Sequence, residues 1–130
     1  MNKYTERSDF EINLLVAQFV LPETQYDVIK QTMGIIQFLV DGSFGYRFFD
    51  PCNNPTDAMP IIIENKISLL AGDSNFWCAR YGEWNILPCP SGIEFIEKAQ
   101  VINDSPYRAA MELFLMMKDA ENEKIRPYLL

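Results

Sequence analysis

The sequence predicts an α+β fold: a single domain in which a mainly antiparallel β-sheet packs with an N-terminal, a middle and a C-terminal helix. Three observations carry this prediction. The chain has 130 residues, a length that suits one compact domain. Hydrophobic residues make up 48% of it, which is enough to build a core. Segments with a helical apolar period lie at the ends and in the middle, and short β-branched and aromatic runs lie between them.

The first helix is predicted from about Asp9 to Val20. Its start is the sequence Ser8-Asp9-Phe10-Glu11, a capping box in which the side chains of Ser8 and Glu11 accept from each other's free backbone N–H groups. Apolar residues cover most of the circumference of this helix, so we expect it to be buried on more than one side. Pro22 follows, where a proline cannot continue the helical hydrogen bonds.

A β-hairpin is predicted after residues 22–33, whose mixed polar composition indicates no element. The runs Ile35–Val40 and Phe44–Phe49 flank Asp41-Gly42, a dipeptide that accepts positive φ in tight turns. Arg47 is expected to face water or a carboxylate. The face of the second run that we expect to face the core carries Phe44, Tyr46 and Phe48.

A second helix is predicted to begin at Pro55, behind Asn54 as its N-cap, and to run to about Lys66. Pro60 inside it favours a bend or a 3₁₀ start. Short strands are expected to follow, separated by turns that contain glycine and proline. They are Ile67–Leu70, Phe76–Tyr81, Trp84–Leu87 and Ile93–Ile102, of which the last also fits a helical stripe.

The last helix is predicted over Tyr107–Ala120, behind Asp104-Ser105-Pro106. Its apolar stripe is so wide that it is either central to the domain or shared with a second copy, in a homodimer through this C-terminal helix. Residues 121–124 are expected to form a charged, frayed helix end, and residues 125–130 a C-terminal tail that either docks on the domain or remains unattached. The residues of this helix that are expected to face water are Arg108, Glu112, Lys118 and Asp119.

Charge and composition exclude several functions. The chain carries 11 Lys and Arg against 18 Asp and Glu, and its net charge of -7 argues against direct contact with nucleic acid. It contains no histidine, which excludes a Ser/His/Asp or Cys/His nucleophilic site and the commonest zinc ligand. We therefore expect no cofactor and no metal.

The pattern of apolar residues and of cysteines indicates a cytoplasmic protein. The N-terminus lacks the apolar region of a secretory signal, and no apolar run approaches the length of a membrane span, so no membrane partner is expected. Cys52, Cys78 and Cys89 form no CxxC pair, and their odd number favours reduced thiols.

The loop at Cys52, Asn53 and Asn54 is the first candidate site, either as a polar binding corner or as a thiol nucleophile. Its second interpretation is structural, because Asn54 with the following proline is what a helix start requires. Without a histidine or lysine nearby, Cys52 is a poor nucleophile. The carboxylate pairs Asp50 with Asp57 and Glu94 with Glu97 are expected to lie on a solvated face.

An aromatic and cationic cluster is the second candidate site. Tryptophan, tyrosine and arginine dominate the energetics of protein interfaces, so a protein-binding surface is one interpretation. The other is core packing, which is favoured for Trp77 and evenly balanced for Trp84. The cluster comprises Trp77, Arg80, Tyr81 and Trp84.

Three blocks of the sequence resemble the small NinX-like proteins of bacteriophages and prophages. They are residues 8–13 (SDFEIN), residues 50–67 (DPCNNPTDAMPIIIENKI), and residues 106–111 (PYRAAM) with 114–120. The resemblance implies a phage-derived accessory protein in the bacterial cytoplasm, from a family without an assigned activity, and it supplies no catalytic residues.

Two classes of function are open from the sequence. The first is a non-enzymatic protein that binds a host or phage protein. The second is a small histidine-free enzyme or ligand-binding protein that uses carboxylates or Cys52. An acidic DNA mimic ranks lower, because the carboxylates are dispersed along the chain and form no phosphate-like rows.

Overall fold

The computed structural model describes residues 2–21, 26–29, 35–39, 46–88 and 92–125. Within these ranges the α+β class is confirmed, and the strands form two three-stranded antiparallel sheets where one was expected. The sheet orders are β1-β2-β3 and β4-β5-β6. The elements are α1 (Asp9–Val20), β1 (Tyr26–Ile29), β2 (Ile35–Leu39), β3 (Tyr46–Phe48), α2 (Pro55–Glu64), β4 (Ser68–Ala71), β5 (Trp77–Leu87), β6 (Gly92–Asn103) and α3 (Pro106–Ile125).

Helix α1 begins and ends where the sequence predicts. The Glu11 N–H donates to Ser8 Oγ at 3.1 Å, and the Ser8 N–H donates to Glu11 Oε1 at 3.3 Å, so the capping box is formed. The buried residues of α1 lie on the face towards α3, and Phe19 packs edge-on against the Phe114 ring at a centroid distance of 6.0 Å. Phe10, Leu14 and Leu15 are partly buried and also pack against the core, whereas Glu11 and Gln18 are exposed.

The first sheet contains the predicted hairpin strands and a strand that the sequence did not reveal. Strands β2 and β3 pair antiparallel, and β1 pairs with the other edge of β2. The Asp41-Gly42 turn and Phe44 lie outside the described residues. The expected core face is wrong at Phe48, which is 58% exposed, whereas Phe49 is buried. Strand alternation places Phe48 and Phe49 on opposite sides, and the Phe49 N–H donates at 2.8 Å to the carbonyl of Ile36, which is also buried. The core side of the hairpin is therefore the side of Phe49.

Helix α2 begins at Pro55 as predicted and ends at Glu64, two residues before the predicted end. Asn65 is its C-cap, and Lys66 adopts a left-handed φ of 55°, which turns the chain into β4. Pro60 lies inside a continuous α-helix and its side chain is exposed, so its missing N–H does not interrupt the element.

In the second sheet, β5 is one strand of 11 residues where two short strands were predicted. Gly82, expected as the separator, lies inside it at a register shift between Tyr81 and Gly82. A Cβ at this position would stand 2.0 Å from the carbonyl oxygen of Ile96, so only glycine fits where the two backbones meet. Strand β6 confirms the prediction that Ile93–Ile102, which also fits a helical stripe, is a strand.

Helix α3 forms the centre of the molecule. It packs on β5 and β6 with one side and on α1 and α2 with the other, and residues 108–115 are all buried. The apolar stripe that motivated the homodimer prediction is therefore occupied by contacts within one chain. The expectation that Arg108 and Glu112 face water is wrong, since they are 8% and 1% exposed. The helix continues through the expected fray to Ile125.

Candidate functional site

The loop before α2 places Cys52 in the core. Its side chain is fully buried, and its N–H donates to Asn13 Oδ1 at 3.0 Å. Burial, followed by the charge of Asp9, raises the pKa of the Cys52 thiol well above its ordinary value, so the nucleophilic thiolate is disfavoured. The thiol is unsuited to nucleophilic chemistry.

The two asparagines of this loop make local structural contacts. Asn54 caps α2, with its side-chain oxygen accepting from the Thr56 N–H at 3.0 Å. Asn53 is exposed and donates to Asp9 Oδ2 at 3.2 Å and to Asp50 Oδ1 at 3.1 Å. The loop is thus tied to the first turn of α1.

Asp57 corrects the expectation that the carboxylates are solvated, because it is 8% exposed. It accepts from the Asp50 N–H at 2.9 Å and from Arg47 at 3.2 Å, so the predicted carboxylate partner of Arg47 is identified. Burial raises the pKa of the Asp57 carboxyl above its ordinary value, while the Asp50 N–H and Arg47 act in the opposite direction. This carboxylate stabilises the start of α2.

Arg108 is the centre of a buried polar network that the sequence did not reveal. Its Nε donates to Glu112 Oε2 at 2.6 Å, and its Nη1 donates to Asp9 Oδ1 at 2.7 Å. Its Nη2 donates to two backbone carbonyls of the N-terminal segment, those of Tyr4 at 3.0 Å and Arg7 at 2.6 Å. These four acceptors, three of them from the distant N-terminal residues Tyr4, Arg7 and Asp9, compensate for the burial of the guanidinium.

The three blocks that carry the family resemblance meet at this network. Asp9 and Asn13 come from the first block, and Asn13 also donates to Asp50 Oδ1 in the second block at 2.7 Å. Arg108 comes from the third block and joins the first block through Asp9. These residues therefore form the junction of α1, the start of α2 and α3, which is a structural role.

A polar cavity of about 460 Å³ lies between the N-terminal segment, the end of β6 and α3. Glu112 lines it, but that carboxylate already accepts from Arg108 and from Asn2 Nδ2. Within the described ranges no three potential ligand side chains come close enough together to hold a metal ion.

The side of the second sheet that faces away from α3, which we call the outer face, is rich in exposed apolar residues. Strand alternation and pairing place side chains in rows across β4, β5 and β6. Trp84 is 58% exposed and Ile86 is 85% exposed, and no described residue covers them. The other exposed apolar residues of this face are Leu70, Ile93 and Ile102.

A groove of about 210 Å³ lies in the middle of the outer face. The rings of Trp84 and Phe95 lie 4.5 Å apart between centroids, and the Arg80 guanidinium stands 4.5 Å from the Phe95 ring. Arg80 Nε lies 3.1 Å from Glu97 Oε1, yet within the described part of the chain that N–H lacks a well-aligned hydrogen bond. The lining residues are Ser68, Leu69, Leu70, Arg80, Trp84 and Phe95.

The predicted aromatic and cationic cluster is divided between the two sides of the sheet. Arg80 and Trp84 lie together on the outer face, where they line one groove. Trp77 and Tyr81 lie on the opposite side of the sheet, together with Ala79, and this side faces α3. Phe95, which completes the groove from β6, was not predicted, because its proximity to Trp84 follows from strand register and not from a sequence motif.

The described residues define a small acidic α+β protein with an apolar sheet face that none of them covers. The chain belongs to the family described as Bacteriophage P22, NinX, whose model matches residues 3–118. The resemblance drawn from the sequence blocks is thus confirmed. Neither a search of the curated proteins nor a search of the solved structures gave a significant match. None of the described helices is both long and apolar enough to cross a membrane.

Proposed function

We propose that this phage-derived protein is a non-enzymatic protein-interaction module that acts in the bacterial cytoplasm and binds a phage or host protein through its outer face. The observation that carries the proposal is the row of exposed apolar side chains around the Trp84 groove. Clustered exposed apolar residues with a tryptophan and an arginine are typical of interaction surfaces.

The composition of this face supports a protein partner over other ligands. Its groove is lined mainly by apolar side chains, and Arg80 is the one cation among the described residues that line it. Nucleic acid would require clustered cations to neutralise phosphates. An acidic DNA mimic would require rows of carboxylates where Trp84, Ile86 and Ile93 stand.

The chemistry of the remaining groups argues against the enzymatic alternative. The Cys52 thiol is buried with a raised pKa, and Asp57 and Glu112 are engaged by cations or backbone N–H groups. A catalytic constellation requires a nucleophile or base that faces a reacting atom. Cys52 and Asp57, which the sequence offered for such a role, make contacts that stabilise the fold.

Site-specific photo-cross-linking in bacteria tests the proposal. A photoreactive phenylalanine analogue at Trp84 is expected to cross-link to protein, because this position lies at the centre of the outer face. The matched control is the same analogue at Ile63, an exposed apolar residue of α2 that is 68% exposed. Protein adducts at position 84 but not at position 63 support the proposal. No adduct at position 84, or equal adducts at both positions, would contradict it.

A further inference from the structure

We infer that the edge of β6 binds an extended peptide segment that carries a lysine or arginine, by adding it to the second sheet as a further antiparallel strand. The site is the polar cavity of about 460 Å³ between β6, α3 and the N-terminal segment, which we call the edge cavity. It shares no lining residue with the groove of the outer face, so the inference goes beyond the proposed function and does not depend on it.

The edge cavity runs along the backbone of β6. Its wall on that strand consists of four consecutive residues, 100–103. Successive side chains of a strand point to opposite faces of the sheet, so four consecutive residues border one cavity when it lies against the edge of the strand. Among the described strands, β6 pairs with β5 alone, so this edge has no partner strand there.

The strand register determines which way the backbone groups of the sheet point. The Gly72 N–H donates to the Phe76 carbonyl at 2.8 Å, which fixes the hydrogen-bonded pairs between β4 and β5. Because the bonding direction alternates along an antiparallel strand, Cys78 and Arg80 bond to β4, whereas Ala79 between them bonds to β6. The directions on β6 follow from this alternation.

Two residues of β6 present their backbone groups to the edge cavity. The hydrogen-bonded partner of Ala79 is Val101, so its neighbours Gln100 and Ile102 direct their N–H and C=O groups away from β5. Within the described part of the chain, no residue hydrogen-bonds to these outward groups. Donors and acceptors at this spacing are matched by an extended peptide, because its own backbone alternates in the same way.

The charge of the cavity selects a cationic side chain. Glu112 is 1% exposed and is the one ionisable side chain among the described residues that line the cavity. It accepts from Arg108 and Asn2, so about two of the roughly four acceptor positions of a carboxylate remain open. Arg108 is also paired with Asp9, so one cation serves two carboxylates and the network stays negative. The net charge of -7 on the whole chain also attracts a basic segment.

The register also places the cation in the peptide. An added antiparallel strand exchanges hydrogen bonds at its residues opposite Gln100 and Ile102. The peptide residue between them lies opposite Val101 and projects its side chain to the same side of the sheet, which faces α3. Glu112 lines the cavity from α3, so this is the position of the lysine or arginine.

Amide hydrogen exchange, followed by NMR, is the first measurement. The probe is a short acetylated and amidated peptide in which valine and lysine alternate. At a concentration that occupies nine-tenths of the sites, exchange at Gln100 and Ile102 is expected to slow about tenfold. The outward amide of Leu69 on β4 is the control, since that residue lines the groove that contains Arg80 and no carboxylate. No slowing on β6, or equal slowing on both edges, overturns the inference.

Three altered peptides separate strand addition from simple charge attraction. N-methyl groups on the valines remove the N–H groups that would pair with β6, so protection is expected to be lost. N-methyl groups on the lysines lie on the other edge of the peptide, so protection is expected to remain. Replacing the lysines by glutamate is expected to abolish protection. Equal effects of the two methylated peptides, or protection by the glutamate peptide, would show that the inference is wrong.

The variant Gln100→Pro tests the same contact from the side of the protein. It removes an outward N–H but no hydrogen bond to β5, so the far-UV circular dichroism is expected to stay unchanged. Gln100→Thr is the matched control, which loses the side chain and keeps the N–H. Fluorescence anisotropy of the labelled valine and lysine peptide is expected to show binding to Gln100→Thr and none to Gln100→Pro. Equal affinities contradict strand addition. The peptide series uses the unaltered chain and decides the matter even if the proline variant unfolds.

The edge site and the outer face are tested independently. Trp84→Ala is expected to bind the valine and lysine peptide as the unaltered chain does, because Trp84 does not line the edge cavity. Loss of binding in Trp84→Ala would place the peptide on the outer face and overturn the edge site. Absence of a cross-link at position 84 together with protection of Gln100 and Ile102 would remove the outer-face proposal and support the edge site.

Discussion

Arg108 is an example of a residue whose environment is decided far away in the sequence. Arg108 and Glu112 stand four residues apart on α3, a spacing that is common for solvent-exposed ion pairs on helices. The acceptors that allow burial are the Asp9 carboxylate and two carbonyls about a hundred residues earlier. The apolar periodicity of α3 contains no information on acceptors so distant in sequence, so Arg108 and Glu112 were predicted to be exposed.

Replacing Arg108 by methionine is expected to destabilise the protein strongly. The substitution leaves Glu112 buried without its cation, which typically costs about 3–5 kcal/mol. Urea unfolding measures the loss. The control is Arg7→Met, which removes an exposed ion pair with Glu11 and is expected to cost less than about 1 kcal/mol. Equal losses for the two variants would mean that the buried network does not stabilise the fold.

The Asp57 carboxyl predicts a specific pH dependence of stability. Its pKa in the folded state is raised, mainly by burial, so the folded state holds the proton to higher pH than the unfolded state. The Asp57 contribution to the free energy of unfolding therefore decreases as pH rises from the unfolded pKa through the folded pKa. Urea unfolding across the acidic range is expected to show this decrease in the wild-type chain and not in Asp57→Asn.

Glu11 serves as a control of opposite sign. The backbone N–H of Ser8, and then Arg7, lower the pKa of its carboxyl in the folded state. Its contribution to stability is present above the unfolded pKa and is lost as pH falls through the folded pKa. Glu11→Gln is thus expected to remove a rising component where Asp57→Asn removes a falling one. The same direction of change in both variants would refute the assigned causes.

At the scale of elements, the role of Gly82 has two interpretations that the sequence alone does not distinguish. Gly82 interrupts a run of strand-forming residues, and such a glycine marks either a turn or a close backbone approach. The carbonyl of Ile96 on the neighbouring strand, which leaves no room for a Cβ at Gly82, shows that this glycine marks a close backbone approach. The hairpin strands β2 and β3 were predictable from their flanking turn signal, whereas β1 lies in a stretch of mixed polarity and becomes a strand by pairing with β2.

Replacing Gly82 by alanine is expected to disrupt the β5–β6 pairing near the register shift. The new Cβ would stand 2.0 Å from the Ile96 carbonyl oxygen, and overpacking of this kind costs about 1–3 kcal/mol. Amide hydrogen exchange is expected to increase on both strands around the site. Gly72→Ala is the matched control with a smaller expected loss, since its Cβ would meet the Phe76 carbonyl oxygen at 3.0 Å. Unchanged exchange in Gly82→Ala would contradict this account of the bulge.

For the whole molecule, the class of fold was predictable because it depends on the order and period of apolar residues. The helices α1, α2 and α3 each have a capping residue or a proline at the start that fixes where they begin. The division into two sheets was not predictable, because it depends on which strand edges meet. The candidate site was predictable in part: Arg80 and Trp84 lie together as expected, and Phe95 joins them only through register.

The contacts between the N-terminal segment and α3 also have a consequence for the time course of synthesis. Arg108 binds the carbonyl of Tyr4 across 104 positions of sequence. At a translation rate of about 5–20 residues per second, the first segment waits roughly 5–20 s for its partner helix to be made. Throughout that interval Ile12 and Val16 of α1 lack the helix that buries them. The ribosome therefore holds a nascent chain whose apolar helix α1 stays exposed until α3 has been made.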